Sequence, residues 1–219
     1  MSNIKEIQEI YTKKLNLYHL IFFKILKCDK AIQSFFQKEN YLHSGDKVLD
    51  AGCGSGLLTK VLFNITKEKN IQGVLFNSFD ITKAMLDIFN KWINKNKITN
   101  IKTKQIDVLK LKDLPNNWKD YDLVVSSGML EYLSEEEIEI ALRNFKILLK
   151  DNGTIIIFIT KDNFLTNLII KKWWKANTYK KKEIEDILFR AGFCKIKFKQ
   201  FPIFYKHIRR GTLIIELKK

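Results

Sequence analysis

Proline and arginine are scarce in this 219-residue chain, which has 2 prolines and draws only 4 of its 39 basic residues from arginine. Glycine is also sparing, at 9. No Pro/Gly/Ser-rich stretch separates two compositionally different halves, so we expect one domain over residues 1–219 built around a single core. The three cysteines, Cys28, Cys53 and Cys194, are an odd and scattered set. That pattern excludes a disulfide framework and points to a reducing, cytoplasmic setting, with peripheral contact at the inner face of a membrane left open. No cluster of His, Cys and carboxylate has ligand spacing, and no metal is expected. The amino-terminal part lacks a cleavable signal pattern, and its longest apolar run, Leu20-Ile21-Phe22-Phe23, is far too short to cross a bilayer.

Charge of one sign dominates, with a net of +15. Its distribution says more than its size. Residues 161–219 hold 16 basic and 5 acidic side chains, a net of +11, which leaves +4 for residues 1–160. The heavy use of Lys, Asn and Ile throughout is what AT-rich coding produces, so part of the basicity is compositional background.

The most informative run is Val48-Leu49-Asp50-Ala51-Gly52-Cys53-Gly54-Ser55-Gly56. It reads as a buried strand that ends on a carboxylate, breaks into a glycine-rich loop and opens a helix. Glycine there permits a sharp turn, positive φ and the approach of a ligand to bare backbone N–H groups. A dinucleotide fingerprint, G-x-G-x-x-G, would require glycine where Leu57 stands. The spacing is instead D-x-G-x-G-x-G. A second strand over residues 73–80 ends on Asp80, and a helix follows from Thr82 to about Asn96. Ile101 to Asp107 and Tyr121 to Ser127 make a third and a fourth strand. Acids at strand C-termini lie where open α/β sheets bind ligands.

These motifs resemble those of class I S-adenosylmethionine (SAM)-dependent methyltransferases, with good specificity over residues 45–160 and moderate specificity over 183–219. The resemblance implies a Rossmann-like α/β three-layer sandwich whose seven-stranded, mostly parallel sheet runs in the order 3-2-1-4-5-7-6. It implies SAM as cofactor, giving S-adenosylhomocysteine as product, held by Asp50, Ala51, Gly52, Cys53, Gly54 and Gly56. Asp80 would take the ribose, Ile81 and Met85 would flank the adenine, and Asp107 with Val108 would receive its amino group. Ser127, in the "SSGMLEYL" segment, falls in the family's fourth motif. Some members carry histidine after that strand. Here Tyr132 stands in its place, and Glu131 and Tyr132 are the candidates for handling an acceptor proton.

Residues 3 to about 38 show apolar positions at helical spacing and read as a helical cap over residues 1–44. Tyr11 and Tyr18, about two helical turns apart, would share a face toward the pocket with His19, a third catalytic candidate. Ser134 with Glu137 forms a capping box, opening a helix expected to reach Lys150 and stop at Asn152-Gly153. "TIIIFIT", residues 154–160, reads as a strand covered on both faces. Residues 161–182 form a basic, aromatic insertion. Trp173 and Trp174 among lysines suit either a substrate-covering, interfacial helix or an ordinary packed helix with a solvated face.

Three functional readings follow. A small or amphiphilic metabolite, anionic or lipid-like, is favoured. RNA, bound by the basic carboxyl-terminal region, is the alternative, although the (N/D)-P-P-(Y/F) motif of exocyclic-amine methyltransferases is replaced by Ser126-Ser127-Gly128-Met129. A non-catalytic SAM-fold binding protein is third.

Overall fold

The computed structural model describes residues 27–168 and 175–219, except for the side chain of Leu165. Seven strands form one sheet in the order β3-β2-β1-β4-β5-β7-β6. They are β1 (Lys47–Ala51), β2 (Leu75–Asp80), β3 (Ile101–Gln105), β4 (Tyr121–Ser127), β5 (Leu149–Thr160), β6 (Lys195–Lys199) and β7 (Thr212–Lys218). β1 to β5 pair in parallel, whereas β7 runs antiparallel to both β5 and β6. The expected order holds.

Side-chain alternation explains why the central strands are almost continuously apolar. Leu49, Val124, Ile155 and Ile157 face one core, while Val48, Leu123, Val125, Ile156 and Phe158 face the other. Both faces must therefore be covered. The first is covered by α4 (Glu135–Leu148) and α5 (Lys181–Arg190), through Leu142, Phe145, Ile184 and Ile187. The second is covered by α1 (Cys28–Glu39), α2 (Leu57–Glu68) and α3 (Lys83–Lys95).

Three expectations need correction. The described part of the supposed cap, α1, is no lid: Phe35 and Phe36 are buried, and Phe35 meets Phe158 edge-on at 5.6 Å. Phe158 stacks in turn on Phe201. This helix is therefore part of the second core. The α4 helix ends at Leu148, and Asn152-Gly153 lies inside β5. Gly153 is needed for close approach, because a Cβ there would sit 2.6 Å from Leu149 Cδ2 and 2.8 Å from the Tyr121 carbonyl. Its neighbours accommodate a bulge, with the β4–β5 register shifting between Tyr121 and Leu123. Finally, β3 ends at Gln105, which leaves Ile106 and Asp107 in the turn beyond it.

The Ser134 capping box forms as expected, Ser134 Oγ accepting from the Glu137 N–H at 3.3 Å and Glu137 Oε2 accepting from the Ser134 N–H at 2.9 Å. His207 lies on a short helix, α6 (Lys206–Gly211).

Candidate cofactor and acceptor site

The strand order reverses direction at β1, which lies between β2 and β4. Adjacent loops splay apart at such a point and leave a crevice beyond the carboxyl ends of the strands. A cavity of 420 Å³ opens there. That size is in the range of small-molecule sites.

The glycine loop forms one wall. The Gly52 and Cys53 N–H groups both donate to the Phe79 carbonyl at 2.9 Å, which anchors the loop to the end of β2. Gly52, Gly54 and Gly56 all have positive φ, at 72°, 52° and 86°. Their reasons differ. A Cβ on Gly52 would strike the Met129 side chain at 2.6 Å, and one on Gly56 would strike the Phe89 ring at 2.4 Å. Gly54 is hindered only by Met85 Cε, at 3.3 Å, and borders the cavity. Gly56 does not border it and acts instead as N-cap of α2. Ala51 is absent from the lining too, being fully buried with its carbonyl accepting from Ser126 Oγ at 2.9 Å. These two members of the expected cofactor set lie off the cavity. The resemblance marks the loop as a unit, whereas only part of it faces the open space.

Every other expected cofactor residue borders the cavity: Asp50, Gly52, Cys53, Gly54, Asp80, Ile81, Met85, Asp107, Val108 and Ser127. Asp50 is almost wholly buried at the end of β1. Its Oδ2 accepts from the Thr59 N–H at 3.1 Å and from Thr59 Oγ1 at 2.6 Å, and Thr59 Oγ1 also meets Ser78 Oγ at 2.9 Å. Its Oδ1 has no hydrogen-bond partner among the described residues. Burial pushes the Asp50 carboxyl up to about 7, against the pull of the Thr59 hydrogen bonds. Asp80 takes the Gly54 N–H on Oδ2 and the Thr82 N–H on Oδ1, both at 2.7 Å. The carboxylate thus ties the loop to the start of α3, and each oxygen keeps a second lone pair for a ligand hydroxyl. Burial raises the Asp80 pKa, with these backbone donors opposing it. Asp107 accepts from the Leu109 N–H at 3.0 Å.

The catalytic candidates separate. Tyr132, in a 3-10 turn at Leu130–Tyr132, borders the cavity. Glu131 does not, contrary to expectation. Its side chain turns to the end of β5, where Oε1 accepts from the Thr160 N–H at 2.8 Å and from Thr160 Oγ1 at 3.0 Å. Its carbonyl accepts from the Asn177 N–H at 2.8 Å. Successive residues of one tight turn must point in different directions, which is why only one of the pair reaches the crevice. Tyr11, Tyr18, His19, Trp173 and Trp174 lie outside the described residues. Sequence reasoning missed the apolar walls Leu58, Phe79 and Ile106, and also Lys110 and Glu137. Leu133, a member of the first core, and Met129, packed against that core, border the cavity as well.

The methyltransferase domain family model matches residues 42–202. An uncharacterized protein of Rickettsia prowazekii is 29% identical over 111 residues, covering 51% of this chain and 41% of that protein. A ubiquinone biosynthesis O-methyltransferase of Haemophilus ducreyi is 27% identical over 114 residues, covering 52% of this chain and 44% of that enzyme. The chain therefore spans less than half the length of these curated relatives. Among solved structures, a SAM-dependent methyltransferase from Aquifex aeolicus is similar with a TM-score of 0.66 at 18% identity, covering 99% of this chain and 98% of that one. The magnesium protoporphyrin IX methyltransferase of Synechocystis PCC 6803 is similar with a TM-score of 0.60 at 17% identity, covering 89% and 79%. At such identities these two bear on the fold alone. With the family model spanning well over half of the sequence and the strand order and glycine loop in agreement with it, the chain belongs to the methyltransferase domain family, in its class I, Rossmann-like form.

Proposed function

We propose that the chain binds SAM in the cavity at the carboxyl ends of β1, β2 and β4 and methylates a small or amphiphilic acceptor there. The observation that carries this reading is the set of hydrogen-bond acceptors lining the cavity. Asp50, Asp80, Asp107 and Glu137 border it against a single lysine, Lys110, with apolar walls at Phe79, Ile81, Met85, Ile106 and Val108. Acids of this number repel a pyrophosphate and favour a ligand that carries hydroxyl and amine donors, a cationic centre and a flat apolar ring. Asp50 Oδ1, without a partner among the described residues, is a buried acceptor that a ligand donor would satisfy. When bound, SAM supplies an electrophilic sulfonium methyl for displacement by an acceptor lone pair.

The protein's part is to hold, orient and keep water out. Gly54 lets the backbone come close, Asp80 and Asp107 receive hydrogen bonds, and Ile81, Met85 and Val108 give an apolar slot. Tyr132 borders the same space and is the proton-handling group we assign to the acceptor side. A small acceptor is also supported by the name of one sequence relative, an O-methyltransferase of ubiquinone biosynthesis.

Calorimetry is the direct check. SAM is expected to bind with micromolar affinity, on the order of −8 kcal/mol. Asp80→Ala is expected to weaken binding by about 1–3 kcal/mol, since it strips a hydroxyl acceptor and leaves the Gly54 N–H unpaired. Methyl-labelled SAM given to a cell extract with the protein is expected to label the lipid or small-metabolite fraction. Label confined to RNA would replace the acceptor reading, and tight dinucleotide binding with no SAM binding would end it.

A further inference from the structure

Of the eight exposed large apolar side chains among the described residues, four lie on two neighbouring segments: Phe164 and Leu168 after β5, Ile203 and Phe204 between β6 and β7. Phe204 is 89% exposed and Phe164 87%. A lone apolar residue at a surface is ordinary, but a group of them is not. The segments are joined by backbone. Lys161 N–H donates to the Gly211 carbonyl at 2.9 Å, and Asn163 Nδ2 donates to the Arg210 carbonyl at 3.0 Å. Thr160, which ends β5, pairs with Thr212, which opens β7. Both segments therefore stand at the sheet end that also carries the cavity, since β4 runs parallel to β5 and Ser127 pairs with Phe158.

The charge on the second segment has one sign. Residues 194–215 contain no acid and include Lys206, Arg209 and Arg210. Lys206 and Arg210 are exposed. The nearest acid on the other segment, Asp162, has Oδ1 taken by Asn167 Nδ2 at 2.7 Å. By contrast, three of the other exposed apolar residues, Ile140, Ile147 and Phe189, sit on α4 and α5, helices rich in glutamate. Bulky apolar tips amid basic side chains match the boundary between lipid headgroups and acyl chains. They match nucleic acid less well, because Leu168 and Ile203 offer no ring on which a base could stack.

We propose that the face made by residues 161–168 and 203–211 docks on an anionic phospholipid surface, with Phe164, Ile203 and Phe204 entering the headgroup boundary and Lys206 and Arg210 meeting lipid phosphates. Docking requires neither cofactor nor acceptor, so it stands or falls separately from methyl transfer.

The test is flotation of the purified full chain with phosphatidylcholine vesicles, with and without phosphatidylglycerol. Binding is expected only with the anionic lipid, weakening steeply with salt. Phe164→Ser with Phe204→Ser, and separately Lys206→Glu with Arg210→Glu, are each expected to lower vesicle binding by about tenfold or more. Both double variants should keep the wild-type melting temperature and SAM affinity, because all four side chains are exposed and off the cavity. Equal binding to neutral vesicles, equal binding by either folded variant, or capture of the chain by RNA with no vesicle binding would overturn the proposal.

Discussion

At the scale of single residues, the three loop glycines share a sequence motif and a sign of φ but not a reason for being glycine. Gly56 is required by Phe89, so Gly56→Ala is expected to lower stability by about 1–3 kcal/mol through overpacking and left-handed strain, visible as a drop in melting temperature. Gly54 faces the cavity, and its added Cβ meets only the flexible end of Met85. Gly54→Val is accordingly expected to abolish SAM binding while the protein still melts cooperatively, with calorimetry and a thermal melt run side by side. Normal SAM affinity in that variant would remove the loop from the site. The difference between these glycines was not legible in the sequence, because D-x-G-x-G-x-G records where glycine occurs and not what crowds it. The acids were legible. Asp50, Asp80 and Asp107 each follow a run of strand residues, and strand ends are where a sheet of this kind presents groups to a ligand.

At the scale of elements, the 3-10 turn at Leu130–Tyr132 joins β4 to β5 by side chain and to the Asn177 segment by backbone. Glu131→Ala would leave the Thr160 N–H without its buried acceptor, a loss of about 1–3 kcal/mol. The melting temperature should fall, SAM affinity should hold, and Glu131→Gln should restore most of the loss because an amide oxygen still accepts. Loss of SAM binding in a folded Glu131→Gln protein would return this residue to the site. Its neighbour shows where pattern reading stops: "LEY" tells that two polar side chains follow the fourth strand, but a tight turn sends them apart. The end of α4 is a similar case. Asn-Gly is a helix stop by composition, yet here the glycine serves the close packing of β5 against Tyr121, a long-range fact with no local signature. The insertion's polar framework was likewise unreadable, since Thr178 Oγ1 donating to Asn167 Oδ1 at 2.6 Å depends on how the chain returns over the sheet.

At the scale of the whole molecule, the buried acid at the end of β1 couples stability to pH. The Asp50 carboxyl lies near 7 in the folded protein, well above its value of 3.8 in an unfolded chain. Between those values the folded state holds the extra proton, so stability is expected to fall as pH rises from about 4 through 7 and to level off above. Asp50→Asn should flatten that slope and gain about 1–3 kcal/mol at pH 8 in thermal melts without ligand, while weakening SAM binding. A melting profile of wild type that rises across this window would refute the burial argument. The strand order was legible only through family resemblance, because periodicity marks strands without saying which are neighbours. That order also governs how the chain can be made. β7 follows β6 in sequence yet lies between β5 and β6, with Ile215 facing Ile157 on one side and Phe198 on the other. A nascent chain emerging from a ribosome can assemble β1 to β5 as it appears, but β6 has no edge to join until β7 is free to lie against β5. The last third of the sheet must therefore close in one late, concerted step, with Ile196 and Phe198 exposed to chaperones until it does.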